Sequence, residues 1–306
     1  MGRQQDSTAR RMDRRNRARN WQAFLICIGP AILIFSAMML WPLIDMFRVS
    51  AFEWRRLTSP KTFVGMANYV ELFSDPKIPV ALANTARHMA VMLLMVMPAS
   101  FMLGFFLSQR MKGYRILRTI SFSPVMLSAP ALSMIFLGVY LPDGILNHAL
   151  RALGLESWTR VWLANSSTSL LAVMGTDAWG AVGFYAVLFF AALSNLPQEL
   201  FESAQLDGAN YWVEMWQIAF PMTLDFVGVA LTLNFVWTLT GSAQIVQLLT
   251  GGGPGTSSMT IGYYLFDKAF LTYRIGYSQA IGVLLLLMGL VGMVLIRRVT
   301  QRSYQA

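Results

Sequence analysis

Long uncharged apolar runs constrain the fold of this chain more than any other feature of its sequence. Uncharged windows of 20 residues or more lie at 21–44, 89–109, 119–142, 178–198, 226–266 and 275–296. A helix of roughly 20 apolar residues crosses the hydrocarbon core of a bilayer, and no window shows the strict alternation of a membrane barrel strand. The predicted fold class is therefore an all-α integral membrane protein. Its six transmembrane helices are expected at about 21–47, 86–109, 117–141, 168–193, 226–249 and 276–297.

Charged residues concentrate outside these runs. They make up 13% of the chain, about half the share of roughly 25% found in soluble proteins. Seven arginines lie within the first 20 residues, directly before the first apolar run. Basic flanks of this kind anchor membrane helices, so the net charge of +9 indicates a membrane rather than nucleic acid. The first run is longer than the roughly 7–15 apolar residues of a signal peptide, which predicts a retained span.

Lysine and arginine counts predict the orientation of the spans. The N-terminal segment at 1–20 carries seven of these residues, the loop after span two carries four and the C-terminal end carries three, fourteen in all against nine on the other side. The more basic side stays in the cytoplasm. Both termini, the 194–225 loop and the short tail at 300–306 are therefore expected there, with one six-span domain over 21–299.

The longest segment on the opposite side, 48–85, contains a short amphipathic helix at 68–73. Two interpretations of this helix remain open. It packs over the spans as a lid, or it helps to receive an extracellular protein. Asp45 and His88 stand near the ends of spans one and two and are expected at the membrane interface.

The 194–225 loop is the most polar part of the second half of the chain, and it contains no Lys or Arg. Ser194 or Asn195 is expected to cap a first helix, and the proline that follows suits its first turn. Gly208 permits a bend or the close approach of another backbone, and Pro221 ends a second short helix. Two short helices outside the bilayer are therefore predicted. An ordinary amphipathic connection between two spans also fits this pattern.

The same loop resembles the EAA motif of the permease subunits of ABC importers. That motif reads E-A-A, three residues, G, nine residues, I, one residue, L-P. The positions that keep its residue types and spacing are Glu202, Ala204, Gly208, Ile218 and Pro221. Ser203 stands where the motif has alanine, and Phe220 where it has leucine. Asp207, directly before Gly208, fits the sugar-permease version of the motif.

Other stretches extend the resemblance over most of the chain. The turn at 249–255, Trp179 with the Gly-Phe pair at 183–184, and the start of span six at 276–280 are each similar to carbohydrate permeases of the maltose and glycerol-3-phosphate type. The resemblance implies a permease subunit of an ATP-driven importer of a sugar or sugar derivative, in a bacterial plasma (inner) membrane. Glycerol-3-phosphate or another polar glycerol derivative is an alternative solute. A secondary transporter would need coupling ions and usually internal repeats, and no repeat is visible.

The resemblance also implies partners and a coupling mechanism. In the family, this loop docks as a coupling helix in a cleft of a cytoplasmic ATPase subunit. The complex would contain a second, homologous permease subunit, two ATPase subunits that bind ATP and magnesium, and an extracellular or periplasmic solute-binding protein. The residues implied in ATPase coupling, within the motif at 198–221, are Glu202, Ser203, Ala204, Asp207, Gly208, Ile218 and Pro221.

The chain itself is not expected to be an enzyme or to bind a cofactor. It contains no Gly-x-x-x-x-Gly-Lys phosphate loop, and the glycines at 251–253 are followed by Pro254. The two histidines, His88 and His148, and the single cysteine, Cys27, show no spacing typical of metal ligands. No catalytic cluster, metal site or nucleic-acid interface is predicted.

Asp177 in span four is the clearest candidate for contact with the solute. Ionisable groups at membrane depth are costly and usually face the bundle interior or a water-filled cavity. With Trp179 and Phe184, Asp177 predicts a carboxylate beside aromatic faces that accepts sugar hydroxyls, although a structural partner for an arginine or a helix end also fits. Further candidates for the solute pathway are Asn234, Thr238, Ser242 and Gln244 in span five and Ser128 in span three. Ser and Thr in membrane helices often bond the backbone instead.

Overall fold

A computed structural model describes residues 28–56, 58–109 and 112–300. Within those ranges, six helices are long and apolar enough to cross a membrane. They are Ile28–Val49, Lys77–Ser108, Ala129–Ala152, Ser169–Leu193, Leu224–Gly241 and Ile275–Thr300. The all-α fold class with six membrane spans is therefore confirmed. The predicted basic segment at 1–20, Cys27 and the tail beyond residue 300 lie outside the described residues.

Shorter elements connect the six long helices. In chain order the elements are α1 (Ile28–Val49), β1 (Phe52–Glu53), β2 (Thr62–Phe63), α2 (Ala67–Ser74), α3 (Lys77–Ser108), α4 (Tyr114–Phe122), α5 (Ala129–Tyr140), α6 (Ile145–Ala152), α7 (Ser169–Leu193), α8 (Gln198–Leu206), α9 (211–222), α10 (Leu224–Gly241), α11 (Ala243–Leu249), α12 (Ile261–Phe266) and α13 (Ile275–Thr300). β1 and β2 pair antiparallel, with Phe52 opposite Phe63. α5 and α6 together form the third candidate span, with a turn at 141–144 between them.

α3 packs closely against α7. A Cβ added to Gly104 would lie 2.8 Å from Cβ of Phe189 and 2.9 Å from the carbonyl oxygen of Ala186, so glycine is needed for this approach. Phe101 and Phe189 are both buried and meet edge to face, with their ring centroids 5.3 Å apart. This packing fixes α7, the helix that carries Asp177.

The expected third span at 117–141 is wrong as a single helix. α4 ends, a 3-10 turn follows at Ser123–Met126, and Leu127 and Ser128 are extended before α5 begins. Proline lacks a backbone N–H and favours the first turn of a helix. Pro124 lies in the first turn of the 3-10 segment, and Pro130 lies in the first turn of α5. The hydroxyl of Ser128 caps α5 by accepting the N–H three residues on, at 3.4 Å.

α4 crosses α7 at Gly183. A Cβ added there would lie 1.7 Å from the carbonyl oxygen of Ser121, so any side chain would separate the two helices. The irregular segment between α4 and α5 is therefore held against α7. The expected fifth span, 226–249, is also divided, because Ser242 separates α10 from α11.

The predicted helix at 68–73 is present within α2. The side-chain amide of Asn68 donates to the carbonyl oxygens of Ser50 and Phe52, at 2.8 and 3.0 Å. On the opposite face, Phe73 is 83% exposed. The inner face of α2 therefore packs as a lid over the start of α13, while reception of an extracellular protein by the outer face stays a prediction.

Polar contacts also fix α2 to α12 and α13. Arg274 donates two hydrogen bonds to the Glu71 carboxylate, one of them 2.7 Å from Nη2 to Oε2. The hydrogen bond from Arg274 is the main reason that the pKa of Glu71 lies below its ordinary value. The hydroxyls of Tyr264 and Tyr277 both donate to Oδ2 of Asp75. These contacts hold the lid in one position.

Candidate functional site

The 194–225 loop folds into α8 and α9 around a bend, as predicted. Gly208 has a φ of +85°, a left-handed conformation that glycine adopts without strain. Two backbone hydrogen bonds close the bend, from Gly208 N–H to the Gln205 carbonyl at 3.0 Å and from Ala209 N–H to the Ala204 carbonyl at 2.9 Å. The bend is therefore fixed by the backbone.

The predicted cap of α8 is wrong. Ser194 directly follows α7 as its C-terminal cap, and the side-chain amide of Asn195 donates to the carbonyl four residues earlier in α7, at 2.8 Å. Pro197 occupies the position before α8 and forms no capping bond. Asn210, which was not anticipated, caps α9, because its Oδ1 accepts the second and third N–H groups after it at 3.0 and 3.1 Å.

The motif residues divide into an exposed and a half-buried set. The exposed residues are Glu202, Ser203, Asp207, Gly208 and Pro221, and the half-buried ones are Ala204 and Ile218. Leu206 and Trp212 add apolar side chains around the bend, with 90% and 54% of their surface exposed. Exposed apolar surface beside polar groups is typical of a site that another protein covers.

The inner face of the loop packs on α3. The ring of Phe105 lies 5.0 Å from that of Tyr211 and 6.3 Å from that of Phe201, centroid to centroid. Met215 and Ala219 of α9 are completely buried. Close packing of this kind makes the loop move with the helix bundle rather than independently of it.

A second candidate site is a cavity of about 370 Å³ between the irregular α4–α5 segment and helices α7, α10 and α11. Its lining residues are Pro124, Val125, Leu127, Ala129, Leu132, Asp177, Gly180, Ala181, Phe184, Tyr185, Leu233, Trp237 and Ile245. Most of these side chains are apolar, and Asp177 is the one charged residue among them. An apolar cavity of this size with a few polar groups is typical of a small-molecule site.

Asp177 is buried in the cavity wall and is held from two sides. The indole Nε1 of Trp237 donates to Oδ1 at 3.0 Å. Nε2 of His88 lies 2.9 Å from Oδ2, an ion-pair distance without the alignment of a regular hydrogen bond. His88 is completely buried among the helices, while its expected place at the membrane interface stays a prediction. Neither His88 nor Trp237 was anticipated as a partner of Asp177.

Of the other candidates for the solute pathway, only Phe184 lines the cavity with Asp177. Phe184 shares the cavity wall with Asp177, whereas Trp179 packs against Phe136 with ring centroids 5.5 Å apart. The hydroxyls of Thr238 and Ser242 donate to backbone carbonyls four residues earlier, at 2.9 and 3.0 Å. Those two residues therefore follow the alternative in which hydroxyls bond their own helix.

Three further candidates also lie outside the lining. Asn234 is fully buried with its side-chain amide near the Tyr185 hydroxyl, Gln244 is exposed, and Ser128 stands between two lining residues. Asp45 lies 3.7 Å from Arg48 near the end of α1. Within the described ranges, no group of three or more His, Cys, Asp or Glu side chains is placed to hold a metal ion.

The fold and the two sites define a helical membrane protein with a cavity of about 370 Å³ between its spans and an exposed, bent loop after its fourth span. Residues 96–303 match the family described as "Binding-protein-dependent transport system inner membrane component". The chain belongs to this family, and the resemblance to ABC-importer permeases is confirmed.

Individual relatives agree with this assignment. The chain is 34% identical over 263 residues to the probable ABC transporter permease protein YurN of Bacillus subtilis, covering 84% of this chain and 89% of the relative. It is 32% identical over 273 residues to the diacetylchitobiose uptake system permease protein NgcF of Streptomyces coelicolor, covering 86% and 77%. A bacterial ABC transporter involved in the import of the acidic polysaccharide alginate shares the fold, with a TM-score of 0.80 at 22% identity over 95% of this chain and 99% of that one.

Proposed function

We propose that this chain is one transmembrane subunit of an ATP-driven importer of an uncharged sugar or oligosaccharide in the bacterial inner membrane. The observation that carries the solute class is the cavity at Asp177. A buried carboxylate is a strong acceptor for the hydroxyl groups of a sugar. Phe184 and Trp237 supply aromatic faces beside it, and such faces offer rigid apolar surface to the C–H groups of a sugar ring.

The charge of the cavity favours an uncharged solute over a phosphorylated one. Phosphate groups are bound in proteins chiefly by Arg and Lys, and none of the lining residues is Arg or Lys. Glycerol-3-phosphate is therefore the weaker candidate. The diacetylchitobiose in the name of the Streptomyces coelicolor relative supports a neutral oligosaccharide.

The exposed face of the 194–225 loop is the proposed contact with the ATPase. Glu202 and Ser203 would form polar contacts there, Leu206 would insert between apolar side chains, and the bend at Gly208 would allow close approach. Because the inner face of the loop is packed on α3, closure of the ATPase subunits would move the spans around the cavity. The permease would then have two conformations, and ATP binding at the distant ATPase subunits would shift the balance between them.

The remaining assembly follows from this proposal. The loop and both termini lie in the cytoplasm, ATP and magnesium are bound by two ATPase subunits, and a second permease subunit completes the pathway. A solute-binding protein delivers the sugar on the outer side, where α2 and its exposed Phe73 lie. In this proposal, ATP is hydrolysed by the ATPase subunits and not by this chain.

The solute class is tested by ATP hydrolysis of the assembled complex with its binding protein. Neutral disaccharides, uronic-acid disaccharides and glycerol-3-phosphate are added separately, and ATP hydrolysis is measured. Stimulation by a neutral disaccharide is expected. Stimulation by glycerol-3-phosphate or a uronic-acid sugar alone would contradict the solute class without affecting the family assignment.

The coupling surface is tested by Glu202→Lys, which reverses a charge on the exposed face of α8. Solute-stimulated ATP hydrolysis and uptake are expected to fall at least several-fold. Glu156→Lys is the matched control, because Glu156 is also exposed but lies between α6 and α7, at the end of α7 away from the loop. Unchanged stimulation and uptake in Glu202→Lys would contradict a contact between Glu202 and the ATPase.

A further inference from the structure

His88 stands behind Asp177 and outside the cavity lining. Its side chain is completely buried, and that of Asp177 is 4% exposed. His88 lies 11 residues after the start of α3 and Asp177 lies 8 residues after the start of α7. At the helical rise of 1.5 Å per residue, these positions are about 16 and 12 Å from the helix starts. Both groups therefore lie inside the helix bundle, well away from the ends of their helices.

Among the residues that the structure describes, His88 is the basic group at ion-pair distance from Asp177. Across the carboxylate, Trp237 contributes a neutral N–H to Oδ1. Tyr185 also interacts with Asp177, and the amide of Asn234 lies near the Tyr185 hydroxyl; both are uncharged polar groups. A buried charge without a counter-charge is strongly unfavourable. An imidazolium 2.9 Å from Oδ2 makes the pair neutral.

We propose that His88 is an imidazolium that neutralises Asp177 from behind and so makes the cavity select uncharged sugars over cationic amino sugars. This inference rests on the proposed sugar-import function. Oδ2 is buried against His88, so Oδ1, which accepts one hydrogen bond from Trp237, is the oxygen left to accept a sugar hydroxyl. The net charge that a solute meets is close to zero, and an ammonium group gains no attraction that offsets its loss of water.

Removal of the charge on His88 is expected to raise the affinity for cationic sugars relative to neutral ones. In His88→Gln the side chain still offers an N–H toward Asp177 but carries no charge. The counter-charge that keeps Asp177 ionised is then missing, and a cationic solute that binds beside the carboxylate supplies it. One unit charge acting over several ångströms in a protein interior corresponds to a change in relative affinity on the order of tenfold or more. A purely structural contact between α3 and α7 predicts equal losses for neutral and cationic sugars.

The charge of His88 is measured directly by nitrogen NMR of the complex, with ¹⁵N-histidine in this subunit alone. The chain has two histidines, and His148→Gln assigns the signals. At neutral pH, both ring nitrogens of His88 are expected to carry protons, and Asp177→Asn is expected to convert the ring to the neutral form. A neutral imidazole in the wild-type complex would overturn the proposal, whatever sugar is carried.

Selectivity is measured with two probes of the same backbone, N,N′-diacetylchitobiose and its deacetylated diamine in the protonated form. The ratio of their half-saturating concentrations for ATP hydrolysis is compared between the wild type, His88→Gln and the exposed-site control His148→Gln. His88→Gln is expected to shift the ratio toward the diamine by about tenfold or more, and His88→Lys is expected to keep the wild-type ratio. An unchanged ratio in His88→Gln would overturn the proposal.

The two proposals fail in distinguishable ways. If neither probe stimulates the wild-type complex, the assigned solute is wrong for this sugar backbone, and the nitrogen spectrum still decides the charge of His88. If the neutral probe stimulates the complex but His88 is a neutral imidazole, the sugar-import function stands and the role of His88 is refuted.

Discussion

Gly183→Ala tests how closely the broken third span is tied to α7. The added Cβ would lie 1.7 Å from the carbonyl oxygen of Ser121 and 2.8 Å from its carbonyl carbon. Because both are backbone atoms, side-chain rotation gives no relief, and α4 must move by roughly 1.3 Å to reach the 3.0 Å that Cβ contacts keep. Overpacking that forces backbone shifts costs about 1–3 kcal/mol. The same shift displaces the cavity wall that follows α4.

Gly138→Ala is the matched control. Gly138 lies inside α5, and nothing stands within 4 Å of a Cβ added there. Alanine is favoured over glycine in a helix interior by about 0.8–1.0 kcal/mol, so this substitution is expected to leave stability unchanged or to raise it. The two variants make the same chemical change with opposite predicted signs.

The assay combines thermal unfolding of the assembled complex with solute uptake into proteoliposomes. Gly183→Ala is expected to lower both the melting temperature and uptake, whereas Gly138→Ala lowers neither. Equal melting temperatures for the two variants would refute the close crossing of α4 and α7. A lower melting temperature with full uptake would instead refute the role of the α4–α5 segment as a cavity wall.

Three further outcomes follow from the geometry. Leu206→Ser is expected to reduce solute-stimulated ATP hydrolysis several-fold without changing the melting temperature, because Leu206 is almost fully exposed; unchanged stimulation would remove it from the ATPase contact. Phe184→Ala is expected to raise the half-saturating solute concentration and Trp179→Ala to leave it unchanged, since Phe184 alone of the two lines the cavity; the reverse result would contradict the location of the site. The hydrogen bond from Arg274 lowers the pKa of Glu71 below its ordinary value of about 4.5. The ion pair therefore contributes its full stability above about pH 4.5, and that contribution is lost as the pH falls through the lowered pKa. Glu71→Gln should therefore flatten the loss of melting temperature below about pH 4.5, and an equally steep loss would contradict that role.

The spans were predictable because burial in lipid leaves a local signature. Each span requires a long run without charge, and that requirement is visible one residue after another. The break in the third span left no such trace, since it lies inside the uncharged run at 119–142. The signal that was available there was the pair Pro124 and Pro130, whose missing N–H groups favour helix starts.

The 194–225 loop was predictable from local sequence, whereas the contacts of Asp177 were not. The bend at Gly208 follows from local spacing and was predicted together with the motif around it. The contacts of Asp177 with His88 and Trp237 join three different helices, and no periodicity in one sequence specifies such partners. Thr238 and Ser242 share the predicted polar face of span five, but each hydroxyl donates to its own helix, so their contact with the solute stays a prediction.

The half-saturating concentration of the neutral sugar, compared between wild-type and Asp177→Asn complexes, tests the central claim most directly. Asparagine keeps the shape of the side chain and an acceptor for Trp237 but removes the charge that strengthens hydrogen bonds to sugar hydroxyls. Hydrogen bonds to charged groups contribute about 1.5–3 kcal/mol, so the concentration is expected to rise about tenfold or more, with unchanged ATP hydrolysis in the absence of sugar. An unchanged half-saturating concentration would contradict the claim that the solute binds at Asp177.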